Sequence, residues 1–211
     1  MNWAAVLLAA GAGSRMGHRP KSLLQLDGEP LIRRHVHSLQ QAGAASVHVV
    51  LGHYASDIAA ALQGLAIHTV HNPRPDEGLV SSQRLGLQAV PEDSEAVLMM
   101  LADQPLLDAA DVSALTAQFA AKPADKHMVF PMVDGVPGNP VMLSHTARAD
   151  ILAQGPDFGC KEWRQAHKPQ VLAFATDNQH YTTDLDHLED LALFTQRTGR
   201  QLSWPPAWAP A

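Results

Sequence analysis

A glycine-rich segment near the start of the chain has the residue types that bind phosphate groups. An apolar run of strand length, residues 4–10, stops at the Gly-Ala-Gly turn of residues 11–13. A short apolar run that ends at glycines is typical of a buried strand in a parallel sheet. Glycines at that end let the backbone approach a ligand, and unpaired N–H groups there can face phosphate oxygens. Because Arg15 and Lys21 follow closely, the segment predicts a binding site for a nucleoside triphosphate.

Two better-known phosphate loops do not fit this segment. A Walker A loop needs Gly-Lys-Ser/Thr, and the dinucleotide fingerprint needs a glycine pattern that residues 14–17 break. An ordinary strand-to-helix turn that needs glycine is the alternative. Arg15, Lys21, a further glycine and a proline lie within residues 15–21, and together they favour phosphate binding over that alternative.

A pair of serines, Ser81 and Ser82, lies at the start of a helix predicted over residues 79–90. Helix N-termini suit anions and hydroxyl contacts. The serines could therefore contact the nucleotide or merely cap the helix, and both interpretations stay open here. The nucleotide-binding candidates are Leu8, Ala9, Ala10, Gly11, Ala12, Gly13, Ser14, Arg15, Lys21, Ser81 and Ser82.

Asp103 follows an apolar strand predicted over residues 96–101. The carboxyl end of a central strand is where ligands bind in open parallel sheets. A carboxylate there can hold Mg²⁺, which takes oxygen ligands and usually bridges to substrate phosphates. The alternative is a helix cap, but Asp108 and Asp111 are better placed to cap the following helix. We therefore interpret Asp103 as a metal ligand.

The segment L-A-A-G-A-G-S-R-M-G, followed by P-K, resembles the signature loop of nucleotidyltransferases with a Rossmann-like fold. It is most similar to the MobA-like group, and within it to the molybdenum cofactor cytidylyltransferases. The stretch L-A-D-Q-P around Asp103 resembles the acidic motif of that family. The stretch D-L-D-H-L-E-D-L resembles its D-I-D-T-P-E-D-L motif, although His187 and Leu188 replace the usual T-P.

The resemblance implies roles for residues that the spacing alone does not assign. Asp186 would be the second metal ligand, with Arg15, Lys21 and Asp103 completing the catalytic set. The alternative for Asp186 is a helix N-cap with Glu189 as its capping-box partner.

An acceptor site is also implied. Gly138 and Asn139 match a segment near the acceptor, where the family often has His in place of Asn139, and Lys161 would bind acceptor phosphate. A solvated lysine at a helix start is the equal alternative for Lys161.

The activity that this resemblance implies is transfer of CMP from CTP to the terminal phosphate of molybdopterin or molybdenum cofactor, with release of pyrophosphate. Mg²⁺ would be the cofactor, with Mn²⁺ as a substitute, and a molybdoenzyme would receive the product. Two alternatives stay open: a cytidylyl- or uridylyltransferase acting on a sugar or polyol phosphate, and a non-catalytic chaperone that binds nucleotide or cofactor. The residues around Gly138 would decide between the acceptors.

Composition limits the class of protein. The chain has 211 residues, 46% hydrophobic and 17% charged, which predicts one domain over residues 1–200 and a Pro/Trp-rich tail over 201–211. A net charge of -6 argues against nucleic-acid or membrane partners. Cys160 is the single cysteine, so an internal disulfide is impossible and a cytoplasmic location is expected.

Apolar segments of strand length alternate with helical patterns along the chain. This order predicts an α/β fold: a Rossmann-like, doubly wound and mostly parallel sheet flanked by helices. A small β excursion is expected near residues 127–143, where two β-prone segments flank a glycine- and proline-rich loop. Ser56 or Asp57 is predicted to cap the second helix.

Overall fold

The computed structural model describes residues 1–209, which form a layered α/β domain. The first half of the chain forms, in order, β1 (Trp3–Ala9), β2 (Gln25–Leu26), β3 (Glu29–Pro30), α1 (Leu31–Gln41), β4 (Ser46–Leu51), α2 (Ala55–Ala61), β5 (His68–His71) and α3 (Leu79–Ala89). The second half forms β6 (Ala96–Leu101), α4 (Ala109–Ala121), β7 (Met128–Val133), β8 (Val136–Pro137), β9 (Val141–Ser144), α5 (His145–Ala153), α6 (Cys160–Ala166), β10 (Val171–Thr176), α7 (Glu189–Thr198) and β11 (Leu202–Ser203).

The central sheet runs in the order β10-β7-β9-β6-β1-β4-β5, and β8 pairs only with β7. β1 pairs in parallel with both β4 and β6, and β9 lies antiparallel between β6 and β7. The predicted doubly wound, mostly parallel sheet is thereby confirmed. The strand order reverses at β1, because the chain moves to β4 and β5 on one side and then to β6 on the other. In such sheets this reversal opens a crevice at the carboxyl ends of the strands.

The β-prone segments near residues 127–143 belong to the main sheet. β7 and β8 form a hairpin, while β9 returns into the sheet between β6 and β7. The projecting part of the predicted excursion is therefore only the short strand β8 and its flanking turn.

Two apolar cores lie on opposite faces of the sheet. Alternate side chains of β1 enter each core, as expected for a strand buried on both faces. α1, α2 and α4 pack on one face, and α3, α5 and α6 pack on the other. Gly86 lets α3 approach closely, since a Cβ there would lie 2.3 Å from Val6 Cγ1. The N-terminus of α3 is thereby held beside the carboxyl end of β1.

A second, three-stranded sheet joins the C-terminal segment to the segment after the glycine-rich turn. It has the order β11-β2-β3, with Leu202 opposite Leu26. Farther along, the guanidinium of Arg19 lies 5.6 Å from the ring centre of Trp204, and Trp208 packs edge-on against Tyr54 at 5.2 Å. The predicted tail therefore packs on the domain as far as Trp208, and Pro210 and Ala211 lie outside the described residues.

Two predicted helix caps have different outcomes. Asp108 caps α4 in a capping box with Asp111, as expected. The predicted cap of α2 is wrong, because neither Ser56 nor Asp57 caps that helix: α2 begins at Ala55, and its N-cap residue, Tyr54, makes no side-chain cap. The hydroxyl of Tyr54 instead donates to Ala12 O at 2.8 Å, so a contact with a distant loop accompanies the earlier start of the helix.

Candidate active site

The glycine-rich turn after β1 has a backbone that requires glycine. Gly13 has φ +58°, and a Cβ there would lie 2.0 Å from Arg19 O. The carbonyl of Gly13 accepts hydrogen bonds from Met16 N at 2.8 Å and His18 N at 3.0 Å. Residues 14–16 form a 3₁₀ turn, so the glycines have a structural role in this loop, and phosphate binding by it stays a prediction.

A cleft of about 360 Å³ opens at the carboxyl ends of β1 and β6. It lies where the strand order reverses, as the fold predicts. The nucleotide-binding candidates that line it are Leu8, Ala9, Ala10, Gly11, Gly13, Ser14, Arg15, Lys21 and Ser82. Its other lining residues are Pro20, Ser22, Ile58, Pro75, Gly78, Leu79, Leu101, Ala102, Asp103 and Asp186. Two candidates, Ala12 and Ser81, are not part of this lining.

Asp103 and Asp186 lie at the same end of the sheet, joined by one lysine. Lys21 Nζ is 3.2 Å from Asp103 Oδ2 and 3.0 Å from Asp186 Oδ1. Arg15 Nη2 reaches the same Asp186 oxygen at 3.1 Å. A backbone hydrogen bond also joins the two segments that carry these acids, because Leu185 N donates to Asp103 O at 3.1 Å. Four residues from three distant parts of the sequence thus form one charged cluster.

The second carboxylate oxygen of Asp103 has no bonding partner in this cluster. Asp103 Oδ1 is buried and has no hydrogen-bond partner among the described residues. A buried acceptor without a partner is costly for stability and is rarely retained without another role. Its chemistry fits a hard divalent cation, which takes carboxylate oxygens as ligands.

The charges around Asp186 favour its ionised form. Partial burial raises the pKa of this carboxyl, but Lys21, Arg15 and His187 outweigh burial and hold the pKa below its usual value. Asp186 does not cap the last helix, so the alternative predicted for it is wrong. The N-cap residue of α7 is Leu188, and Asp190 Oδ2 instead accepts from Asp186 N and His187 N at 2.7 Å.

Asp184 is a third acid of the cluster to which the sequence analysis assigned no role. Desolvation of its carboxyl, followed by the charges of Asp103 and Asp186, raises its pKa to about 6. Its position two residues before Asp186 could have indicated its place in the cluster from the sequence, since the side chains of residues i and i+2 in an extended segment lie on the same side.

The serine pair is organised by a buried asparagine that sequence reasoning also missed. Asn72 Nδ2 donates to Ser81 Oγ and Ser82 Oγ, each at 2.9 Å, and Asn72 Oδ1 accepts from Arg74 N at 2.9 Å. Neither serine caps α3, since its N-cap residue is Gly78 and no side-chain cap forms. The capping alternative is therefore wrong, and Ser82 faces the cleft.

The acceptor candidates fall into two groups. Gly138 and Asn139 lie against Tyr181, whose carbonyl accepts from Asn139 N at 2.9 Å. The same carbonyl accepts from Gln104 Nε2 at 2.9 Å, which links this loop to the residue after Asp103. Lys161 is exposed in the first turn of α6. None of the three acceptor candidates lines the cleft.

A second cluster of possible metal ligands comprises Asp108, Asp111 and His180. Its groups are already hydrogen-bonded to one another and to the backbone. Asp108 Oδ1 accepts from two N–H groups of α4, and Asp111 Oδ2 accepts from His180 Nδ1 at 2.8 Å. This cluster fixes the segment after β10 to the start of α4, which is a structural role.

The fold and the cleft define a class: α/β proteins with a doubly wound sheet that bind a nucleotide at the strand reversal. The family comparison is more specific. The profile of the MobA-like NTP transferase domain matches residues 5–171, and the chain belongs to this family of nucleotidyltransferases.

Three similar proteins illustrate the relationship. The bifunctional protein GlmU of Legionella pneumophila (strain Corby) is 30% identical over 171 residues, which are 80% of this chain and 35% of GlmU. The chain thus spans about a third of the length of that relative.

Among the described residues, no helix has both the length and the apolar character needed to cross a bilayer.

Two solved structures share the fold. Rv0371C of Mycobacterium tuberculosis, in complex with manganese, matches with a TM-score of 0.73 and 22% identity, covering 93% of this chain and 99% of that one. CMP:2-keto-3-deoxy-manno-octonic acid synthetase, in complex with CTP, matches with a TM-score of 0.68 and 16% identity, covering 93% and 100%. At these identities the likeness supports the fold.

Proposed function

We propose that this chain transfers CMP from CTP to the terminal phosphate of molybdopterin or molybdenum cofactor and releases pyrophosphate. The observation that carries the proposal is the cluster in which Lys21 joins Asp103 and Asp186 beside the glycine-rich turn. Transfer of a nucleotidyl group needs cations at the triphosphate and carboxylates for a metal. All of these face one cleft.

The residues of the cleft have distinct roles in the proposed reaction. Backbone N–H groups of the turn, with Arg15 and Lys21, bind the phosphate oxygens and offset their charge. An acceptor phosphate oxygen attacks the α-phosphorus, the bond from that phosphorus to the bridging oxygen breaks, and pyrophosphate leaves with the electron pair. A phosphate that is already ionised needs no protein base.

A divalent metal completes the proposed site. Asp103 and Asp186 would hold it, and the unpartnered Asp103 Oδ1 supports this assignment. A bound Mg²⁺ or Mn²⁺ supplies charge neutralisation at the phosphates. The manganese in the complex of the structurally similar Rv0371C is consistent with a divalent ion, and we propose Mg²⁺ with Mn²⁺ as a substitute.

CTP is the proposed donor for two reasons. The L-A-A-G form of the loop resembles the cytidylyl branch of the family, whereas L-A-G-G resembles the guanylyl branch. The synthetase of similar fold is complexed with CTP. The acceptor is assigned from the resemblance, with Gly138, Asn139 and Lys161 as its proposed contacts.

The second candidate function is a cytidylyltransferase for a sugar or polyol phosphate. Two structural neighbours favour it: 4-diphosphocytidyl-2C-methyl-D-erythritol synthase, whose name includes a cytidylyl group and a polyol, and CMP:2-keto-3-deoxy-manno-octonic acid synthetase, whose name includes CMP and a sugar acid. Asn139 favours it as well, because the cytidylyltransferases that transfer to molybdopterin often carry His at this position.

Donor choice is tested by thermal-shift titration of CTP, GTP, UTP and ATP with Mg²⁺. A Tm increase that is largest for CTP is expected, and a clear preference for GTP would refute the donor assignment. The acceptor is tested by pyrophosphate release from CTP with molybdopterin or with a polyol phosphate. Release with the polyol phosphate alone would select the second candidate.

A further inference from the structure

Lys21 occupies the space between the two carboxylates that are proposed to hold a metal. Its Nζ lies 3.0 Å from Asp186 Oδ1 and 3.2 Å from Asp103 Oδ2. The side chain is only 18% exposed, and its backbone belongs to a 3₁₀ turn over Lys21–Leu23. The loop therefore fixes the backbone of Lys21, while the two carboxylates position its ammonium group.

A divalent ion and this ammonium group would compete for the same two carboxylates, although the ammonium leaves Asp103 Oδ1 without a partner. Mg²⁺ binds oxygen ligands at about 2.0–2.1 Å and requires strict geometry. An ion shared by the two carboxylates would lie very close to Lys21 Nζ, and the like charges would repel across a partly desolvated site. While Lys21 keeps its contacts with both carboxylates, this repulsion would weaken metal binding.

We propose that Lys21 is a placeholder for the metal, so that this enzyme binds the divalent ion poorly until a nucleotide arrives. The inference rests on the proposed function. In the empty site Lys21 neutralises Asp103 and Asp186. A triphosphate offers stronger acceptors, so Nζ moves onto phosphate oxygens and releases both carboxylates.

Arg15 takes part in this exchange to a smaller extent. Of the two acids it contacts only Asp186, at 3.1 Å, and it also lies 3.4 Å from His187 Nε2; its side chain is 57% exposed. An exposed ion pair is weak, so Arg15 can leave the carboxylate at little cost. Lys21 is the one cation of the cluster that contacts both acids.

The exchange makes metal and nucleotide binding interdependent. By linkage, a nucleotide that tightens metal binding is itself bound more tightly when the metal is present, by the same factor. Removing the ammonium group should raise the affinity for metal alone. It should also reduce the factor by which the metal and the nucleotide tighten each other's binding. A lysine that only binds phosphates would instead leave the affinity for metal alone unchanged.

The test is titration of Mn²⁺ into the full chain without nucleotide, followed by the loss of the free-ion electron paramagnetic resonance signal. Lys21→Met should bind Mn²⁺ about 10-fold or more tightly than wild type, a change of about 1.4 kcal/mol. Lys168→Met, at an exposed lysine away from the cleft, is the matched control and should bind like wild type. Equal Mn²⁺ affinity in Lys21→Met and wild type would overturn the proposal.

Two further measurements keep the result interpretable. Lys21→Gln removes the charge but keeps a hydrogen-bond donor, and it replaces Lys21→Met if that variant does not fold. Asp103→Asn in the Lys21→Met background should abolish the added affinity, because Asp103 supplies a shared ligand. Retention of the added affinity in the double variant would place the ion elsewhere and overturn the proposal.

Failure of this inference can be told apart from failure of the proposed function. CTP binding to wild type, measured by thermal shift with Mg²⁺, reports on the function. If CTP binds but Lys21→Met gains no Mn²⁺ affinity, the placeholder role is wrong and the function stands. If wild type binds no nucleoside triphosphate, the proposed function fails, whatever the Mn²⁺ titration shows.

Discussion

Asp103 shows how one residue can be poorly placed for stability and well placed for chemistry. It follows β6 at the cleft, where one carboxylate oxygen meets Lys21 and the other is buried without a partner. A well-packed core would not retain such an oxygen. A ligand that completes its coordination would remove this cost.

Replacement of Asp103 by Asn is the first prediction. Asn keeps the shape but offers a neutral, weaker ligand, so pyrophosphate release should fall by at least about 100-fold, as for other losses of several kcal/mol at a transition state. The measurement is pyrophosphate release from CTP with acceptor and Mg²⁺. Asp177→Asn, at an exposed aspartate outside the cleft, is the control, and unchanged turnover in Asp103→Asn would reject the metal assignment.

His35 gives the second prediction, which concerns pH. It is 1% exposed, and neither ring nitrogen makes a hydrogen bond with a described residue, although the ring lies near the backbone of Ala102. Burial, with a smaller effect of Arg34, lowers its pKa from 6.5 to about 4. Between these values the unfolded chain binds more protons than the folded chain, so stability falls as the pH drops.

The loss between pH 6.5 and 4 should be about 3 kcal/mol for this group, since each pKa unit corresponds to about 1.4 kcal/mol. His35→Leu should remove this part of the acid sensitivity and equal or exceed wild-type stability at pH 7. Urea unfolding across pH 4–7 measures both effects. His71→Leu, at an exposed histidine, is the matched control, and parallel pH profiles for His35→Leu and wild type would contradict the expectation.

At the residue scale, the sequence indicates side chains whose role follows from their place along the chain. Asp103 was predicted because it follows an apolar strand, and Asp186 because its neighbours resemble a family motif. Asn72, Asp184 and His35 were not assigned, since their roles depend on which groups surround them. Those neighbours come from other elements, and a sequence does not reveal them.

At the scale of elements, the C-terminal segment holds the glycine-rich loop from several sides. β11 pairs with β2, directly after the turn that contains Lys21. Trp208 packs on Tyr54, whose hydroxyl donates to Ala12 O at 2.8 Å. The residues that make these contacts lie outside the lining of the cleft, so we expect them to position the loop rather than bind the triphosphate.

The third prediction tests this positioning with two variants. Tyr54→Phe removes only the hydrogen bond to Ala12 O, and Trp208→Ala removes the ring that supports Tyr54. Each should raise KM for CTP by about 2- to 10-fold, the range of one hydrogen bond, with kcat changed much less. Steady-state kinetics separates the two constants, and a fall in kcat at constant KM would indicate a different role.

The strands and helices themselves were largely predictable. β1 and β6 are buried parallel strands and read as continuous apolar runs, so their bounds were predicted to within one residue. The insertion of β9 between β6 and β7 was not predicted, because strand pairing depends on contacts that are distant in sequence. The cap of α2 was mispredicted for a similar reason, since the N-cap residue Tyr54 hydrogen-bonds to Ala12 O in a loop that is distant in sequence.

At the scale of the whole molecule, the cleft depends on the reversal of strand order at β1. This reversal brings the glycine-rich loop, the start of α3 and Asp103 to one crevice, and the return of the chain after β10 adds Asp186. The acceptor candidates Gly138 and Asn139 contact the same returning segment at Tyr181. The proposed donor and acceptor halves of the site would therefore both be linked to this returning segment.

The fourth prediction follows from this arrangement and uses amide hydrogen exchange. CTP with Mg²⁺ should protect three distant segments together, residues 8–24, 78–84 and 184–188, because all of them border one cleft. Residues 134–139 should gain protection only when an acceptor is added. Asp103→Asn should keep the CTP-dependent protection of 8–24 but lose that of 184–188, since the proposed ion would join Asp103 to Asp186. Protection confined to residues 8–24 in wild type would show that the remote segments do not close around the nucleotide, and the proposed joint site would then be wrong.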